Sequence, residues 1–148
     1  MRVMLAALMV VSVAPAQSAE KESWGFVRSG KEAHLVYGVP ETEIVTLSFI
    51  CEGKRIEIIS TVLPRRPRKG QAARTALTNG AVTASYDGKF GSSNEGFYFQ
   101  AYTAAEPKVV EVLRSGTALT ISIPGKQERV PLRGVSKPLN QFEATCFR

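Results

Sequence analysis

Apolar and polar residues alternate along most of this chain with a period of two, the mark of strands with one buried face. Residues 24–28 open the pattern, with Trp24 and Phe26 on one face. Within 32–37, Ala33, Leu35 and Tyr37 alternate against Glu32, His34 and Val36. Residues 46–51 put Leu47, Phe49 and Cys51 on one face, and 54–62 set Ile56, Ile58 and Ser60 against Glu57, Ile59 and Thr61. Glu52-Gly53 between those two runs predicts a hairpin turn. Pro64 and Pro67 break the pattern, because proline fixes φ and donates nothing to a ladder.

The second half resumes with 71–78 and 81–86 flanking Asn79-Gly80, a strong short-range hairpin signature. Asp87-Gly88 predicts a further turn and 91–96 a flexible loop, before the aromatic strand 97–102. In 107–114, Val109, Val110, Val112 and Leu113 follow helical spacing between Pro107 and Gly116. Two strands follow at 118–123 and 129–132, separated by Pro124-Gly125. Ser136 is placed to cap a closing helix with Pro138 in its first turn. Leu139, Phe142 and Cys146 lie three and four apart, so they share one face, which would dock Cys146 onto the strand bearing Cys51. The fold class expected is mainly β: a single-domain antiparallel sandwich or partly open barrel with one or two short helices, including a C-terminal one.

The start of the chain has a different pattern. Arg2 precedes an apolar run, residues 3–13, that ends in small residues up to Ala19. This is the three-part layout of a secretory signal, and it is too short for a span of about 20 apolar residues. Residues 1–19 are therefore expected to be a signal peptide and 20–148 a single β-rich domain. Cleavage after Ala16 satisfies the small-x-small rule through Ala14, whereas cleavage after Ala19 puts Gln17 three positions back. The mature protein is expected to be periplasmic or secreted, with no transmembrane segment.

Export changes how the cysteines are read. Cys51 and Cys146 are the only thiols, without a CxxC motif, and an oxidising compartment predicts a disulfide between them. With His34 alone beside them, they make no four-ligand zinc set without carboxylates. No metal site and no cofactor are expected. GxSxG, HExxH, P-loop and GxGxxG motifs are absent, so no catalytic residue is assigned and a non-enzymatic role is expected. His34 reads as a solvent-facing or structural strand residue, and Glu41 and Glu43 as loop residues after Pro40. Tyr98 and Tyr102 are the aromatic residues to watch for ligand stacking, if exposed.

Charge is the positive signal. The chain carries +6, and Arg2 lies in the leader. The remaining +5 is matched by five basic residues within 63–74, a stretch with no acid: Arg65, Arg66, Arg68, Lys69 and Arg74. Arginine's planar fork suits phosphate and carboxylate, and the prolines hold the segment extended. These residues are the candidate contact for an anionic envelope component, either a lipid headgroup or lipopolysaccharide, or for an acidic protein. Nucleic acid is the weakest partner, since no accompanying motif reads it. A secreted inhibitor of another enzyme and a hydrolase with a site built from scattered residues are the alternatives.

The leader, Trp24, LSFIC at 47–51 and the closing F-x-x-x-C at 142–146 give the chain its layout. This layout resembles that of small exported (periplasmic) proteins of Gram-negative bacteria, particularly alphaproteobacterial ones. That group brings no established activity, so the resemblance implies export and assigns no functional residue.

Overall fold

A computed structural model describes residues 21–148; the expected signal peptide lies outside the described residues. The described residues form nine strands: β1 (Ser23–Ser29), β2 (Glu32–Gly38), β3 (Val45–Glu52), β4 (Arg55–Ser60), β5 (Ala72–Thr78), β6 (Thr83–Ser93), β7 (Gly96–Ala104), β8 (Ala118–Ile123) and β9 (Lys126–Pro131). They form one antiparallel sheet in the order β1-β2-β3-β4-β7-β6-β5-β8-β9. Among the described residues a single α-helix, α1 (Ser136–Cys146), follows the sheet. The mainly β antiparallel class expected from the alternation is the one observed.

The sheet does not lie flat. Nine strands spaced about 4.8 Å apart would hold the two edges about 38 Å from each other. Yet the Trp24 indole N–H on β1 donates to the Pro131 carbonyl on β9 at 2.8 Å. The open sheet is therefore rolled upon itself, with its edges brought together at Trp24. The inner face collects Leu35, Leu47, Phe49, Ile56, Ile58, Leu77, Phe99, Leu119 and Ile121, all fully buried. Helix α1 adds Leu139 and Phe142 to this core and packs beside β1 and β2. Cys51 and Cys146 form the expected disulfide, with Cα atoms 5.9 Å apart, tying α1 to the inner face of β3.

Four local expectations change. The Asp87-Gly88 turn is absent, because β6 runs straight through it. Gly88 pairs with Ala73 on one side and Ala101 on the other, and a Cβ there would sit 2.2 Å from the Gln100 carbonyl oxygen. The glycine serves close approach of strands rather than a turn. The 91–96 loop is mostly strand, with only a tight turn between Ser93 and Gly96. The helix expected over 107–114 is a pair of 3₁₀ turns, Pro107–Val109 and Glu111–Leu113. Its valines are stiff at χ1 and the stretch is too short to offset helix nucleation, but their burial still anchors the turns. In α1 itself, Ser136 is the first helical residue and Val135 takes the cap position without a side-chain cap.

Candidate functional site

Two surface features stand out, and they lie on different parts of the sheet. The first is the basic segment. Strand β4 cannot pass directly to β5, because β7 and β6 stand between them. Residues 61–71 make this crossing. Val62 is buried at the start of the segment, and Leu63 packs partly on the core. Pro64 lies against the β8–β9 turn, where a Cβ on Gly125 would be 3.8 Å from the proline Cβ. At the far end the Gly70 N–H donates to the Phe90 carbonyl at 2.8 Å, and the Phe90 N–H donates to the Gln71 carbonyl at 3.0 Å. The segment is thus pinned at both ends.

Arg65, Arg66, Arg68 and Lys69 are all exposed between these anchors. Among the described residues none of the four makes an ion pair. Lys126 follows Gly125 in the turn beside Pro64, and Lys89 pairs with Ala72 in the ladder just past the segment. Sequence distance hides both lysines from a reading along the chain. Arg74 differs from the other four. It sits on β5 opposite Asp87 and makes a two-pronged contact, Nε to Oδ1 at 2.7 Å and Nη2 to Oδ2 at 2.9 Å. The guanidinium's hydrogen bonds hold the Asp87 carboxyl below its ordinary value, and the carboxylate raises Arg74 in return. Arg74's charge is answered within the sheet.

The second feature is a groove of about 670 Å³ on the outer face of β2, β3, β4 and β7. Antiparallel sheets commonly turn a polar face to water. Here Val36, Val45, Ile50 and Ile59 point outward, and Tyr98 joins them from β7. The register places Val36 beside Ser48, Ser48 beside Ile59 and Ile59 beside Gln100. The loop between β2 and β3 and the turn between β6 and β7 form the lips. Ile44 and Phe97 there are 61% and 39% exposed, which is unusual for side chains of their size.

The polar groups of the groove are mainly acidic. The Glu57 carboxylate accepts hydrogen bonds from the Gln100 amide and, at 3.2 Å, from the Tyr102 hydroxyl. Arg55 stacks over the Tyr102 ring at 4.6 Å. Burial and the nearby Glu57 carboxylate push the Tyr102 phenol up. Glu43 and Glu95 meet from the two lips, and their shared hydrogen bond raises the Glu95 carboxyl. His34 Nε2 lies 2.8 Å from the Glu32 carboxylate.

The groove brings together residues that the sequence leaves scattered. Glu43 and His34 line one cavity, while Glu41 stays outside it. Tyr98 faces the groove and Tyr102 is largely exposed at its margin, whereas Trp24 and Phe99 belong to the core. Glu57 and Glu95 were not legible as site residues, because nothing local marks a carboxylate that faces a cavity. The outward Ile50 and Ile59 were the available signal: apolar residues on both faces of a strand imply two covered faces. Among the described residues no three His, Cys, Asp or Glu side chains gather as a metal site. No described helix is long and apolar enough to cross a membrane. No protein-family model matches the chain, and no curated protein or solved structure matches it either.

Proposed function

We propose that this protein is a non-enzymatic binding protein of the cell envelope, periplasmic or secreted, that meets an anionic partner through its basic segment. The observation that carries the reading is the set of four exposed cations at 65–69, unpaired among the described residues, on a segment anchored at both ends. Anchoring lowers the ordering cost of contact, and unpaired arginines need break no internal ion pair to bind phosphate or carboxylate. Lys89 and Lys126 widen the surface, and Arg74 contributes least because Asp87 already holds it. The Cys51–Cys146 disulfide is compatible with an oxidising compartment. The partner class is a phosphate-bearing lipid or lipopolysaccharide surface.

Sedimentation with phosphatidylglycerol-containing vesicles across a salt series tests this. Changing Arg65, Arg66, Arg68 and Lys69 to Ser removes up to about a thousandfold in affinity, at about 1 kcal/mol per basic residue near an anionic surface. Wild-type binding fades as salt shortens the screening length. Equal, salt-insensitive binding by both proteins overturns the reading. The hydrolase alternative would draw on the groove, but His34 there is hydrogen-bonded to Glu32 and to no hydroxyl among the described residues.

A further inference from the structure

The outer-face groove differs from the basic segment in both chemistry and charge. Its floor is apolar: Val36, Ile50 and Ile59, flanked by Tyr98. Glu43, Glu57 and Glu95 line it, and among the described residues no Lys or Arg does. This is a local reversal of sign in a chain of formal charge +6. Ser48, only 5% exposed, also lines the groove. The cavity's 670 Å³ falls within the roughly 300–1,000 Å³ typical of small-molecule sites.

We propose that the groove binds a small amphipathic cation, its apolar body on the Val36–Ile50–Ile59 floor and its protonated amine between Glu43 and Glu95. An alkylammonium has three donors and no acceptor, which suits a place where two carboxyl groups converge and, among the described residues, no Lys or Arg is paired with either. Two carboxylates held together repel when both are ionised, and a cation between them removes that cost. Glu57 is the less available acid, because Gln100 and Tyr102 already donate to it and Arg55 stacks beside it. Ile44 and Phe97, exposed on the lips, close over the apolar body once it is seated. Ser48 supplies a hydrogen bond from the floor.

Calorimetric titration of the disulfide-bonded protein with octylammonium, 1-octanol and octanoate tests the site. These probes share a chain and differ in charge. Octylammonium should bind about tenfold more tightly than 1-octanol, the size of one charge-assisted hydrogen bond, and octanoate most weakly. Glu43→Gln with Glu95→Gln, both on exposed loops, should abolish the preference for octylammonium while leaving 1-octanol within about twofold. Amide shifts on binding should appear at Ile44, Ile50, Ile59 and Tyr98. The protein lacking its basic residues at 65–69 should bind octylammonium as the wild type does, which separates this site from the vesicle-binding reading. Binding of the three probes with equal affinity, an unchanged double variant, or shifts confined to the inner core would each overturn the proposal.

Discussion

Strands β3 and β4 carry apolar side chains on both faces, and the two faces have opposite fates. On the inner face Phe49, Ile56 and Ile58 are fully buried, and the Cys51–Cys146 bridge locks α1 against the same face. On the outer face Ile50 and Ile59 are only half covered, in a groove edged by carboxylates. The residues are chemically the same; the difference is what covers them. A face closed by the protein's own chain contributes stability. A face closed only at its lips leaves apolar area for something else to cover.

The sharpest way to break this comparison is to cut the same strand on each side. Phe49→Ala should cost about 3–5 kcal/mol, since it leaves a cavity in a closed core. Ile50→Ser, one residue along, should cost about 1 kcal/mol, because its side chain already meets solvent. Urea unfolding measures both, and equal losses would make the groove part of the core. Cys51→Ser with Cys146→Ser should cost about 2–5 kcal/mol, as the bridge closes a long loop, and it should loosen α1 before it disturbs the outer face. Hydrogen exchange of α1 against that of β3 reads the order.

A smaller effect is expected at Gly88, where an added Cβ meets the Gln100 carbonyl. Gly88→Ala should cost about 1–3 kcal/mol and shift the β6–β7 pairing, visible in the Phe99 and Gln100 amides. The smallest effect is on the lips. The protonated Glu95 carboxyl donates to the Glu43 carboxylate, which raises Glu95, so the contact favours the protonated form. Its contribution is present at acid pH and is lost as pH rises through the raised value. The lips should thus be drawn together below the ordinary carboxylate value of about 4.3 and part as pH rises through the raised Glu95 value. Glu57 and His34 face the same groove. The Gly96 amide shift should follow this transition in the wild type and lose it in Glu95→Gln.

Much of the strand pattern was legible because alternation is a local property. Leu47, Phe49 and Cys51 declare one face within five residues, and burial follows it. The C-terminal helix was legible from the spacing of Leu139, Phe142 and Cys146. Glycine misled at Gly88, because closeness to a neighbouring strand and a tight turn make the same demand for a missing side chain. The basic segment was legible as a run of charge, but its anchoring was not. Nor was the exception of Arg74, which depends on Asp87 standing opposite across a hairpin. The groove was least legible, since its members come from β2, β3, β4, β7 and two loops.

By itself the sequence determined which residues alternate, where the chain must turn, which two cysteines were available to pair, and where the unbalanced positive charge lies. These are consequences of side-chain chemistry acting over a few neighbours. Only the tertiary structure decided that nine strands roll until Trp24 meets Pro131, that β6 and β7 separate β4 from β5, and that Glu43 reaches Glu95. Strand order is set by contacts distant in sequence, and which face of a strand is closed depends on what the rest of the chain brings to it.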